Sequence, residues 1–128
     1  MTLYENLDVW LTDILNERIE PDVVAMCFNI YDNGNCHWSL EVVGTTMFDM
    51  NDPDWACEEV EDFGTREMPF TWIEQNNWEG ILEHVSKSIV QIINSEKYSF
   101  LKRQLEGIAT GFVDGDLVIL YKKENDKS

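Results

Sequence analysis

Between Val23 and Gly44 the chain reads VVAMCFNIYDNGNCHWSLEVVG, two β-rich runs on either side of a turn signal. Successive side chains of a strand leave on opposite faces. Val24, Met26, Phe28 and Ile30 therefore share one face of the first run, and Trp38, Leu40 and Val42 one face of the second. Both faces belong against a common core, which fixes the parity of the pairing. A two-residue Asn33-Gly34 loop would set Phe28 opposite Ser39 and Ile30 opposite His37, dividing the apolar residues between faces. A three-residue loop, Asp32-Asn33-Gly34 with Gly34 left-handed, pairs Phe28 with Trp38 and Met26 with Leu40 and keeps one face dry. The expectation is a hairpin over about 23–44 with that loop.

The end of the chain repeats the theme. GIATGFVDGDLVILYKK predicts a second hairpin over about 107–122, turning at Asp114-Gly115 with Phe112 facing Leu117 and Thr110 facing Ile119. Both its faces are largely apolar, which predicts central strands. Leu3, Leu7, Trp10, Leu11, Ile14 and Leu15 recur at helical spacing behind Thr2 and Glu5, a capping-box pair, and predict a helix over about 3–18 that Pro21 ends. Trp78, Ile81, Leu82, Val85, Ile89, Ile92 and Ile93 form the stripe of a central helix over about 74–94, with Glu79, Glu83 and Lys87 outside. A short helix over about 96–105 precedes Gly107. The fold class is α+β, a mainly antiparallel sheet built from two hairpins and covered by helices on one face. With 128 residues, no repeat and no linker, the chain reads as one domain, 1–128.

Charge then limits what the domain meets. The formal net charge is −16, well beyond the roughly 2 to 8 charges that keep a small domain soluble. Only nine residues are Lys or Arg, which argues against nucleic acid and anionic lipid and for a cationic partner. The segment FDMNDPDWACEEVEDF, Phe48 to Phe63, holds seven carboxylates and no Lys or Arg. No apolar run approaches the ~20 residues of a membrane span. MTLYENLDVWLTDILNERIE has no basic leader and no small-residue cleavage site, so a cytoplasmic location is expected. Three cysteines without CxxC spacing, Cys27, Cys36 and Cys57, fit a reducing compartment and buried or half-buried thiols rather than a disulfide framework or a zinc site.

No catalytic set emerges. His37 falls on the outer face of the first hairpin and His84 beside the helix stripe, and no pattern ties either to a cysteine or to Ser39. The glycines stand singly, without a phosphate-cradling loop. DMNDPD offers Asp49, Asn51, Asp52 and Asp54 as oxygen ligands of the kind Ca²⁺ or Mg²⁺ takes, but it departs from the calcium-loop pattern and places Pro53 where that loop must turn. A metal-dependent hydrolase using Asp49, Asp52 and Asp54 is the rival reading. The favoured one expects no enzyme activity, no cofactor and no metal.

Aromatic rings set among acids are ingredients of a binding surface, apolar anchors inside a charged rim. The candidate partner-binding residues are Phe48, Asp49, Asp52, Asp54, Trp55, Glu58, Glu59, Glu61 and Asp62. The competing structural reading makes Trp55 and Phe63 core residues of an edge strand whose acidic neighbours face water. The block WSLEVVGTTMFDMNDPDWACEEVEDFGTRE at 38–67, the helix opened by Trp78 and the closing GIATGFVDGDLVILY together resemble the small acidic immunity proteins of bacterial contact-dependent inhibition and other polymorphic toxin systems. The resemblance implies a non-enzymatic cytoplasmic protein that neutralises a cognate toxin domain, foremost a basic nuclease, by capping its active site. The carboxylates would then stand in for the phosphates of the toxin's substrate. It carries over no individual residue, so the candidates above rest on charge and aromatic placement. An acidic adaptor or chaperone for another basic protein is the third reading.

Overall fold

The computed structural model describes residues 2–15, 21–49, 51–57, 59–64, 68–113 and 115–123, with backbone alone at 53 and 59–64. The elements in order are α1 (Leu3–Leu15), β1 (Ala25–Asp32), β2 (His37–Thr45), a 3₁₀ turn (Pro53–Cys57), β3 (Glu59–Gly64), β4 (Phe70–Ile73), α2 (Trp78–Ile93), a 3₁₀ turn (Glu96–Tyr98), α3 (Ser99–Gln104), β5 (Gly107–Phe112) and β6 (Val118–Lys122). The strands form one sheet in the order β3-β2-β1-β5-β6, and β4 also pairs with β2. The fold is α+β. The sheet is mixed, because β1 and β5 run parallel while every other pair is antiparallel.

The first hairpin keeps the expected faces but not the expected loop. Phe28 pairs with Val42 and Ile30 with Leu40, rather than Phe28 with Trp38. The turn moves two residues towards the C-terminus, a change of even count that leaves Met26, Phe28, Ile30, Trp38, Leu40 and Val42 on one side. Gly34, Asn35 and Cys36 make it, all with positive φ (85°, 53° and 62°). Asp32 Oδ1 accepts from Gly34 N (2.9 Å) and Gly34 O from His37 N (3.0 Å), which holds non-glycine residues in the left-handed region. The second hairpin has the predicted register at its open end, Ile108 opposite Tyr121, and a β-bulge shifts it by one to set Thr110 opposite Val118 instead of Ile119. Of its two strands β5 is central and β6 an edge.

The helices cover one face of this sheet. The capping box of α1 is complete: Thr2 N donates to Glu5 Oε1 (3.1 Å) and Glu5 N to Thr2 Oγ1 (3.2 Å). Within the described residues α1 ends at Leu15, and positions 16–18 of the expected helix lie outside them. The central helix begins at Trp78 rather than near 74, because Asn77 caps it by accepting from Gly80 N (2.7 Å). Trp78, assigned to its buried stripe, is instead 59% exposed at the first position. The predicted pair on its outer face is present, Lys87 Nζ to Glu83 Oε1 at 2.7 Å. Leu7 and Leu11 from α1, Ile81, Val85, Ile89 and Ile92 from α2, and Leu101 from α3 meet Met26, Phe28, Leu40 and Ile108 in the main core. Each fully buried side chain of this size is worth about 1.5–3 kcal/mol.

β4 was not anticipated, whereas β3, which contains Phe63, is an edge strand as in the competing reading. β3 and β4 run one after the other along the same edge of β2, β3 beside Val43 and Thr45 and β4 beside His37 to Leu40. Together they form one interrupted edge strand, and the second half of the acidic segment belongs to it.

Candidate functional site

The sheet face turned away from the helices is built to receive something. The residues there on β1 and β5 are small: Ala25 and Cys27 on β1, Gly107, Ala109 and Gly111 on β5. Phe48 and Trp55, carried by the connection after β2, fill the recess. Their rings meet edge-on with centroids 5.0 Å apart, and with Val43, Ala56, Leu117 and Ile119 they form a second, smaller core. Trp55 is 2% exposed. It therefore does not present a ring to a partner as expected; it is the peg that fastens the acidic segment to the sheet, and Phe48, half-buried, shares that task.

Between the two rings the chain turns outward. Asp49, Asp52 and Asp54 are exposed. Asp49 Oδ1 accepts from Asn51 N (2.9 Å), and Asp52 Oδ1 accepts from Asp54 N (3.0 Å), capping the 3₁₀ turn. These carboxylates shape the loop as well as charging it. Glu59, Glu61 and Asp62 lie on β3, whose backbone alone is described, and Glu58 lies outside the described residues. Among the described residues no three of His, Cys, Asp and Glu come together as a metal site. Asp49 and Asp52 each turn an oxygen back to the backbone instead of towards a shared centre.

Beyond the Phe48–Trp55 plug the same face becomes polar. Asn29 Nδ2 and Tyr31 OH donate to Glu41 Oε1 (3.0 and 2.8 Å), and Cys27 Sγ donates to Asn29 Oδ1 (3.3 Å). Glu41 is only 3% exposed, so these bonds support a buried carboxylate. Cys57, expected at least half-buried, is exposed.

A second arrangement, which the sequence did not suggest, lies at β4. Its side chains alternate: Phe70 and Trp72 pack inward against Trp10 (centroids 5.6 Å for each successive pair), while Thr71 and Ile73 stand exposed. Glu74 follows and gathers donors, Trp72 Nε1 (3.1 Å) and His84 Nδ1 (2.9 Å) on Oε1 and Asn76 Nδ2 (3.1 Å) on Oε2. Burial pushes the Glu74 carboxyl up, but the hydrogen bonds from Asn76, His84 and Trp72 outweigh it and hold the group below the usual glutamate range. The other histidine, His37, donates from Nδ1 to Asn35 O within its own turn (2.9 Å). Both imidazoles are thus engaged locally, His37 by a backbone carbonyl and His84 by a carboxylate. The signal that could have revealed β4 is FTWI itself, four β-forming residues in alternation bounded by Pro69.

The charge is unevenly placed. From Met1 to Ser86 the only basic residues are Arg18 and Arg66; the other seven of the nine follow from Lys87 onward. The first hairpin, the acidic turn and the β3–β4 edge all fall in that first stretch of sequence, while Lys122 of β6 lies opposite Gly107, beside the plug. No family model, no curated protein and no solved structure matches the chain.

Proposed function

We propose that this protein is a non-catalytic immunity-type inhibitor that binds a cationic toxin domain, foremost a nuclease, and neutralises it in the cytoplasm. The observation that carries the proposal is the mount of the acidic turn: Asp49, Asp52 and Asp54 stand in solvent between two rings locked into the sheet, in a stretch of sequence almost without basic residues. Fixed charges of one sign steer a partner of the other and set its register, even where each ion pair adds little net affinity. A pre-shaped loop also loses less entropy on binding than a flexible acidic tail. Glu58, Glu59, Glu61 and Asp62 extend the charge along the chain from that turn. In this reading Phe48 and Trp55 act from beneath, by holding the surface in shape.

The test is purification of the partner from the source cells. Tagged protein is loaded at low salt and washed with rising salt. One basic polypeptide is expected in stoichiometric amount, retained through moderate salt and devoid of nuclease activity while bound. A salt-labile mixture of ribosomal and other basic proteins would sink the proposal, because the charge would then be acting without specificity.

A further inference from the structure

We infer that the free edge of β4, continued by the acidic strand β3, holds an extended basic segment of the partner as an added β-strand. The inference rests on the cationic-partner reading above and says how that partner is gripped.

The backbone provides the first argument. Glu74 N donates to Cys36 O (3.0 Å), continuing the ladder in which β4 pairs with β2. In an antiparallel pair a residue turns its N–H and C=O to one neighbour, and the next residue turns its own the other way. Phe70 and Trp72, in step with Glu74, therefore bond to β2, while Thr71 and Ile73 aim their backbone groups outward. Among the described residues no strand lies beyond them. Edges of this kind are ordinarily shielded by Lys, by a bulge or by a covering element. Pro69 and a register shift beside β3 guard the two flanks, but β4 itself has no charged residue and leaves Ile73 71% exposed, with Met68 equally exposed just before it.

The surroundings say what fits. Beside Ile73 an open depression of about 680 Å³, lined by Asn33, His37, Trp38, Thr71, Trp72 and Ile73, offers room for a large side chain of the added strand. Glu74 closes one end of the edge, and Glu59, Glu61 and Asp62 occupy the strand in line at the other. No Lys or Arg occurs between Arg66 and Lys87. A second copy of this chain would bring the same acidic strand towards itself, and like charges across paired strands are destabilising. A strand bearing Lys or Arg towards β3 and apolar residues towards β4 satisfies ladder, apolar groups and charge together.

The test titrates isotopically labelled full-length protein with a short peptide alternating lysine and valine, with its glutamate-valine counterpart, and with a copy of the lysine peptide N-methylated at alternate amides. The lysine peptide is expected to bind and to slow amide exchange at Thr71 and Ile73 by about tenfold or more. N-methylation is expected to weaken binding about tenfold, since it removes the strand's donors while keeping its charge. Thr71→Pro removes an outward N–H that β2 does not use, and is expected to weaken the lysine peptide similarly. If that variant misfolds, the methylated peptide reads the same ladder from the other side. Equal binding of methylated and unmethylated peptides overturns the added strand and leaves the cationic reading standing. Lysine and glutamate peptides binding equally, or neither binding, counts against the cationic reading itself. Self-association without peptide, with Thr71 and Ile73 protected, overturns the inference in favour of a second copy.

Discussion

The ring of Phe48 lies against the α-carbon of Gly107, in the space that any side chain at that position would need. A residue of the acidic connection and the first residue of β5 are thereby fitted to one another. Gly107→Ala is expected to destabilise by about 1–3 kcal/mol through overpacking. In a Phe48→Ala background the same change is expected to cost much less, because the clash is gone. Urea unfolding of the two single variants and the double variant gives the coupling. Additive losses would show that the two residues do not share a packing site.

Trp55 and Asp54 are neighbours in sequence with opposite jobs, and substitution separates them. Trp55→Ala is expected to cost about 3–5 kcal/mol, the range for emptying a buried aromatic site. Asp54→Lys, on the exposed side of the same turn, is expected to stay within about 0.5 kcal/mol. With the cationic partner in hand, Asp54→Lys and a Glu58→Lys/Glu59→Lys double variant should slow association and flatten its dependence on salt. Association rates identical to the parent protein's would place the interface elsewhere.

Glu74 gives the fold a dependence on acid. Its pKa in the folded protein is held below the usual glutamate value, so the unfolded chain binds its proton first. The stabilisation is present at pH above the unfolded value and is lost as pH falls through the lowered folded value. Glu74→Gln is expected to cost about 1 kcal/mol at neutral pH by weakening charge-assisted hydrogen bonds. Its Tm should also fall less steeply than the parent's across that acidic window, the two curves converging at its lower end. Parallel Tm curves would remove Glu74 from the account.

The carboxylates at 49–54 answer a separate question. Because Asp49 and Asp52 already serve backbone N–H groups, millimolar Ca²⁺ or Mg²⁺ is expected to leave the Tm unchanged. A rise that disappears in Asp52→Ala would establish a metal site and revive the hydrolase reading.

Much of the architecture was legible because parity and spacing are robust signals. Met26, Phe28 and Ile30 had to share a side whatever the loop, so the hairpin faces came out right while the turn slid two residues. The slip has a local cause: Asn35, which tolerates the left-handed region, and Cys36, which ordinarily avoids it, both adopt it after Gly34. β3 stood only as the competing reading because Glu and Asp are poor strand formers, a preference that its edge position overrides. Trp55 was misread because a ring among carboxylates looks the same whether it points in or out. The deciding information lay far off in the chain, in the small residues Ala25, Cys27, Gly107 and Ala109 that leave a recess only an aromatic pair fills.

The parallel pairing of β1 with β5 sets a timetable for the molecule. β1 can zip onto β2 as soon as both leave the ribosome, but its other edge stays bare until Gly107–Phe112 has been made. Phe48 and Trp55 have no complete floor before then, since Gly107 and Ala109 supply half of it. Contacts so distant in sequence form late and slowly. The acidic surface is therefore presented in its final shape only once β5 has been made, and a product cut short before β5 would carry the charge without the form.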